Sequence, residues 1–255
     1  VISLKSPRDL ENMAVAGRAV AAVHAAVREA VAPGITTKEL DVIGHEVILE
    51  HDCRPSFLGY HGYPASICTS PNSVIVHGIP ADHRLREGDI IAIDAGANYE
   101  GWHADAAFTM GVGEVAPELE RLLSVTEASM WAGIRAAVPG GRLGDIGAAI
   151  QAVIDRAGFG IVREYTGHGI GRQMHEEPQI LNYGTPGKGM RLKAGMVVCI
   201  EPMVNIGGGA TAVLDDGWTV VTADGSASAH FEHTVAITGE GPRILTAFDP
   251  AVPGE

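Results

Sequence analysis

The chain repeats itself, and that constrains its fold more than any other feature. PGITTKELDVIGHEVI, beginning at Pro33, overlays PGGRLGDIGAAIQAVI, beginning at Pro139. Proline, glycine, acidic and apolar positions coincide at an offset of about 106 residues. Further along, LREGDIIAID (Leu85 to Asp94) overlays LKAGMVVCIE (Leu192 to Glu201), and each copy ends in a carboxylate. Two matches at nearly one offset predict two similar helix–helix–strand halves, about 6–115 and 116–245. They should face one another, with Asp94 and Glu201 meeting where they join.

Local signals agree with that division. Ser6-Pro7-Arg8-Asp9 is a capping sequence with proline at the first helical position, opening an Ala-rich helix that ends before Pro33-Gly34. Thr36 and Glu39 form a second capping box and open a helix to about His51. In the second half a helix runs from Pro117 to Val138, Gly140-Gly141 breaks the chain, and another helix covers Leu143 to Ala157. Short β-rich runs follow each pair: Asp89–Asp94, Trp102–Met110, Met196–Glu201, Trp218–Thr222 and Phe231–Ile237. No low-complexity linker separates the halves, so residues 1–255 read as one α+β domain.

With 46% hydrophobic residues in 255, the chain can bury a substantial core. A net charge of −13 and the lack of any Lys/Arg-rich run argue against a nucleic-acid surface. The Ala/Val-rich stretch from Met13 to Ala32 carries Arg18, His24, Arg28 and Glu29, so it is not a membrane span. The N-terminal residues lack the basic and apolar regions of a signal peptide, and Cys53, Cys68 and Cys199 form neither a zinc ribbon nor a disulfide framework. A reducing cytoplasm is the expected compartment. The chain starts at Val1 without a methionine, leaving open what precedes it.

Chemistry enters through five residues on or beside those β-rich runs. They are Asp94 in IIAIDAG, Asp105 in WHADAAF, His168 in TGHGIG, Glu201 in VVCIEPM and Glu232 in HFEHTVA. A carboxylate facing the interior is costly unless something pairs it. Four of them exceed the few nearby Lys and Arg, whereas two divalent cations would neutralise the set. If the hairpin around Ala97-Asn98-Tyr99-Glu100-Gly101 pairs symmetrically about Tyr99/Glu100, Asp94 falls directly opposite Asp105, on one face and ~5 Å apart. Glycines flank His168, and Pro202 ends the strand at Glu201. Taken alone, Glu232 reads equally as a solvent-facing strand residue. An oxygen-rich set with one imidazole suits Mn²⁺, Fe²⁺, Co²⁺ or Zn²⁺, and hydrolysis is the chemistry two such ions support.

GYHGYP (59–64), VHGIP (76–80), IDAG (93–96), HAD (103–105), TGHGIG (166–171), MHEEP (174–178), IEPM (200–203) and FEHT (231–234) occur in that order. Together they resemble the type I methionine aminopeptidases from Ser6 to Ile244. The resemblance implies the pita-bread fold: pseudo-symmetric halves around a central antiparallel sheet. It also implies two metal ions, one held by Asp105, His168, Glu201 and Glu232 and the other by Asp94, Asp105 and Glu232. A bridging hydroxide would attack the first peptide bond, with Glu201 handling its proton. His77 would bond the scissile amide nitrogen and His175 would polarise the carbonyl. Phe57, Tyr60, Tyr63, Cys68, Met174 and Trp218 would line a methionine pocket, a soft aromatic slot favourable to a thioether. Phe57 and Met174 depart from the commoner Cys and Phe of the family. Asn72, Val74 and Ser228 match a monovalent-cation site of some relatives. The implied substrate is a nascent peptide with N-terminal Met and a small second residue. The implied enzyme is a monomer with the ribosome as a candidate partner.

Competing readings are weaker. Prolidases and Xaa-Pro aminopeptidases carry a large N-terminal domain and lack the GYHGYP loop. The inserted helical subdomain and the zinc-binding extension of other methionine aminopeptidases are not seen here. Non-catalytic relatives have lost metal ligands, whereas all five remain. His175-Glu176-Glu177-Pro178-Gln179 lacks the second histidine of a zincin. The Gly207–Ala212 segment is followed by a turn at Asp215-Asp216-Gly217, against a dinucleotide site.

Overall fold

The structure, a computed structural model, describes residues 2–247, so the reading of one domain over 1–255 extends beyond the described residues at both ends. Four helices stand where the repeat places them: α1 (Pro7–Ala30), α2 (Thr37–Glu50), α3 (Pro117–Ala136) and α4 (Leu143–Ala157). Capping chemistry explains the starts of α1, α2 and α4, while α3 begins with proline at its first helical position. Ser6 Oγ accepts from the Asp9 N–H while the Asp9 carboxylate accepts from the Ser6 N–H at 2.9 Å. Thr36 and Glu39 do the same for α2. At the start of α4 the Asp145 carboxylate accepts from the Arg142 N–H at 2.7 Å. The Ser6 and Thr36 caps each stabilise their helix by about 1 kcal/mol. α3 stops two residues short of Val138, because Pro139 biases the backbone before it away from the helical region.

The two halves echo one another in detail. The Gly34 N–H donates to Leu85 O and the Gly140 N–H to Leu192 O, at 2.8 and 3.0 Å. Isolated antiparallel bridges join Thr36 to Arg84 and Arg142 to Arg191. The same helix-to-strand stitch is therefore sewn twice. It delivers Asp94 and Glu201 to equivalent places on a nine-stranded sheet.

That sheet runs, in spatial order, through Arg54–Pro55, Ile90–Tyr99, Trp102–Gly111, Glu232–Thr238, Val197–Ile200, Gly167–Gly169 and Glu176–Ile180. Ile67–Pro71 pairs alongside Ile90–Tyr99, and Gly241–Ile244 alongside Glu232–Thr238. One face is apolar: Ile91, Ile93, Ala95, Ala104, Ala106 and Phe108 are buried with Ala16, Val20, Val23 and Val27 of α1. α1 crosses close to the strands, with the His24 ring 4.6 Å from that of Phe108 and its Nε2 3.0 Å from Ala106 O. Strand side chains alternate faces, so Asp94 and Asp105 project from the opposite side.

The central hairpin corrects one expectation. Ala97, Asn98 and Tyr99 are strand, not linker, and the turn is confined to Glu100 and Gly101. Both have positive φ, 49° and 82°, as a two-residue primed turn demands. The Asn98 side chain accepts from the Gly101 N–H at 2.9 Å and closes it. The hairpin therefore pivots on Glu100/Gly101, and Asp94 lies opposite Ala107 while Asp105 lies opposite Gly96. The two aspartates are diagonal neighbours, not direct partners. They keep a common face because the slip moves Asp94's partner by two residues, which preserves parity.

Candidate metal centre

Sheet register builds the site. Cys68 pairs with Asp94, Asp94 with Ala107, and Ala107 with Glu232, a single row across four strands. His233 pairs with Ile200, so the next step of that ladder sets Glu232 beside Glu201. The neighbouring row carries Asp105, Thr234 and Cys199. The Thr234 hydroxyl accepts from the Asp105 N–H at 2.9 Å and donates to the Asp105 carbonyl at 2.7 Å, locking that aspartate's backbone. A missing side chain matters at Gly96: a Cβ there would lie 2.7 Å from the Phe57 ring, which covers the row from above.

His168 sits between Gly167 and Gly169 at the strand edge. Its Nδ1 lies 2.9 Å from the Gly169 carbonyl. A carbonyl only accepts, so Nδ1 carries the ring proton and Nε2 presents a lone pair. That Nε2 lies 3.5 Å from Glu201 Oε1 and 3.9 Å from Asp105 Oδ2. Burial holds the imidazole neutral, with its pKa lowered to about 3. This is the state a metal ligand needs.

The carboxylates lack partners. Asp105 is 4% exposed and Glu232 2%, and Asp94 Oδ1, Asp105 Oδ1 and Glu232 Oε1 are buried without a hydrogen bond. Among the described residues, no lysine or arginine forms an ion pair with Asp94, Asp105, Glu201 or Glu232. Burial, and then repulsion from Glu232 and Asp94, drives the Asp105 carboxyl far above the usual carboxylate range. Burial followed by their neighbours' charge does the same for Glu201 and Glu232. Buried oxygens of one sign, orphaned around a ready imidazole lone pair, fit divalent cations. Ligand atoms of Asp105, His168, Cys199 and Glu232 lie within 4.8 Å of one another, as do those of Glu201, His230 and Glu232. Asp94 belongs to neither group, although it lines the same cavity.

That cavity, of about 170 Å³, also receives the remaining catalytic and pocket residues singled out from sequence: Phe57, Tyr60, Tyr63, Cys68, His77, Met174, His175 and Trp218. The Tyr63 ring meets Trp218 edge-on at 5.1 Å and Phe57 at 6.5 Å, and its hydroxyl is anchored to the carbonyls of Ile67 and Gly78. His175 lies with its ring 4.2 Å from that of His168, and its Nδ1 is 2.8 Å from the Tyr60 hydroxyl. Burial raises the Tyr60 pKa, so the phenol stays protonated beside the imidazole. His77 stands at a positive φ of 61°, its ring edge-on to Trp218 and Tyr165, with burial lowering its pKa to about 4.

Asn72, Val74 and Ser228 lie elsewhere. The Asn72 carbonyl accepts from the Ser228 N–H at 2.9 Å, and Val74 pairs with Val221 in a separate three-stranded sheet.

Two residues that sequence reasoning did not single out, His230 and Cys199, belong to the site, and a third, Lys5, braces a segment beside it. His230 is buried and unpartnered at Nε2, 3.6 Å from Glu201 Oε2. Its two-residue spacing from Glu232 in HFEH was the available signal, since strand alternation puts both on one face. Cys199 shares that two-residue signal with Glu201; burial pushes its thiol well above the usual range. Lys5, buried, pairs with Glu176 at 2.8 Å and ties the N-terminal segment to the residue after His175. No local pattern announces that contact.

Comparison with known proteins decides the lineage. Residues 11–239 match metallopeptidase family M24. The chain is 49% identical to the methionine aminopeptidase of Clostridium perfringens over 246 residues, 96% of this chain and 99% of that one. It is 52% identical to methionine aminopeptidase 1 of Mycobacterium tuberculosis over 253 residues, covering 96% and 95%. The chain belongs to the methionine aminopeptidases of family M24. The crystal structure of methionine aminopeptidase from Rickettsia prowazekii superposes with a TM-score of 0.95 at 44% identity, covering 97% of this chain and all of that one. The α+β fold of this aminopeptidase is thus the pita-bread fold, with its carboxylates on the sheet face opposite α1. No described helix is long and apolar enough to cross a membrane.

Proposed function

We propose that the enzyme removes N-terminal methionine from nascent proteins and peptides, preferring a small second residue. The observation that carries this reading is the row of buried carboxylates around the His168 lone pair, opening into an aromatic pocket of the same cavity. Two divalent ions, drawn from Co, Mn, Fe or Zn, would be held by Asp105, His168, Glu201 and Glu232 and by Asp94, Asp105 and Glu232. Such ions, when bound, supply Lewis acidity toward water and the peptide carbonyl.

The chain's own groups do the rest. Glu201, at the rim of the row, takes the proton of the attacking water and passes it to the leaving amine. His175 donates through Nε2–H to the carbonyl oxygen as charge develops on it, with Nδ1 accepting from the Tyr60 hydroxyl. His77, neutral and half-buried beside Trp218, hydrogen-bonds the scissile amide nitrogen. Phe57, Tyr63, Cys68, Met174 and Trp218 enclose the methionine side chain and exclude water from it, while Tyr60 braces His175. Sulfur against ring edges is worth about 0.3–1.5 kcal/mol per contact.

We further propose that residues 1–255 form one catalytic domain of halves 6–115 and 116–245, working as a monomer in the cytoplasm near the ribosome. A monovalent cation would sit at Asn72, Val74 and Ser228.

Metal-stripped enzyme, reloaded with each ion in turn, should cleave Met-Ala-Ser far faster than Leu-Ala-Ser or Ala-Pro-Ala. Preference for the proline peptide would transfer the enzyme to the Xaa-Pro peptidases. Full activity without added metal, confirmed by elemental analysis, would remove the metal from the mechanism.

A further inference from the structure

His230 is a 2% exposed imidazole that the reading above does not use. Its backbone is clamped: the Thr109 hydroxyl accepts from the His230 N–H at 2.9 Å and donates to the His230 carbonyl at 2.8 Å. The Thr234 hydroxyl holds Asp105 in the same way. The chain breaks pairing at Phe231, between the strands Ser228–His230 and Glu232–Thr238, and both His230 and Glu232 face the cavity. The His230 backbone is therefore held as the Asp105 backbone is, with its ring directed into the cavity.

Its Nε2 makes no hydrogen bond. The nearest carboxylate oxygen, Glu201 Oε2, is 3.6 Å away, too far for a hydrogen bond. Two donors on one cation, each about 2.0–2.2 Å from it, stand roughly 3–3.5 Å apart. The 3.6 Å gap is close to that spacing and to the 3.5 Å between His168 Nε2 and Glu201 Oε1. Glu232 completes the group, with its ligand atom within 4.8 Å of both others.

We propose that His230 is a direct cation ligand: with Glu201 and Glu232 it forms a second imidazole-containing donor group, sharing those two carboxylates with the group around His168, Glu201 through Oε2 on the His230 side and Oε1 on the His168 side. This rests on the reading that the carboxylate row binds divalent ions, and deepens it. A second nitrogen in an oxygen-rich set tilts preference from Mn²⁺ toward the more nitrogen-loving Co²⁺ and Zn²⁺. The enzyme would then have two imidazole-bearing metal positions, where the resemblance to its family implies one.

The test compares wild type with His230→Gln and His230→Asn, each loaded with Co²⁺ alone and checked for folding by circular dichroism. Each histidine bound to paramagnetic Co²⁺ gives one strongly shifted, exchangeable ring N–H proton resonance. Two such resonances are expected in wild type and one in each variant. Competition between Mn²⁺ and Zn²⁺ should shift toward Mn²⁺ by at least about tenfold in the variants. Equal numbers of shifted resonances with unchanged competition would overturn the proposal, as would a fall in kcat with both metal readouts unchanged. Wild type that takes up no Co²⁺ would instead overturn the metal reading itself, a separate outcome.

Discussion

The floor and the wall of the cavity are built on different principles. The floor is ladder: Cys68, Asp94, Ala107 and Glu232 follow one another across hydrogen-bonded strands, and Thr234 clamps Asp105 between them. The wall is loop: Phe57, Tyr60 and Tyr63 come from the segment after Arg54–Pro55, Met174 and His175 from the turn before Glu176–Ile180, and Trp218 from a turn stapled by Asp216. Floor positions are set by pleat and register to fractions of an ångström, which ligation geometry requires. Wall positions depend on side-chain packing between loops, which tolerates exchange. Phe57 and Met174 both stand in the wall.

That contrast can be broken most forcefully at the floor. Asp105→Ala should abolish stoichiometric metal binding and lower kcat/KM by more than about a hundredfold, the most that changes behind a metal's ligands cause. Elemental analysis showing unchanged metal would detach the floor from ligation. His175→Ala, at the junction of floor and wall, should lower kcat about 10²–10³-fold with metals retained. A wild-type kcat would leave the Tyr60–His175 pair without a catalytic role.

Trp218→Ala should leave metal content untouched and erode discrimination between Met- and Leu-initiated peptides by about 10–200-fold, the range for a reshaped apolar pocket. Lost metal in that variant would show that wall and floor are one unit.

The smallest effect is thermal. Burial holds Asp105, Glu201 and Glu232 above their unfolded pKa values, so in metal-free protein their neutral forms contribute stability below about pH 4. That contribution is lost as pH rises through the folded values. His168 and His77, lowered to about 3 and about 4, act in the opposite sense but only below about pH 6.5. Chelation should therefore lower Tm more at pH 8 than at pH 6.5, by about 2–4 °C for each kcal/mol of metal linkage lost. Equal losses at both values would mean that the carboxylates do not titrate between them in the metal-free fold.

Much of this was legible beforehand where local chemistry is strong. Ser6/Asp9 and Thr36/Glu39 announce their helices because the capping hydrogen bonds span three residues. The overlay of Leu85–Asp94 on Leu192–Glu201 announces the twofold stitch because each copy closes the same backbone bonds. The hairpin shows the limit. Ala97-Asn98-Tyr99 has turn-rich composition, yet Glu100-Gly101 alone turns, since only those two residues take the positive φ the strands' twist demands.

By itself, then, the order of residues determined the two halves, the helices and the alternation that sends Asp94, Asp105, Glu201 and Glu232 to one side, because those properties arise from contacts a few residues long. Which carboxylate lies beside which, how His230 joins them, and how Lys5 reaches Glu176 were decided by tertiary structure. They rest on register between strands far apart in the chain, where a slip of one residue costs nothing locally and would turn every side chain to the other face.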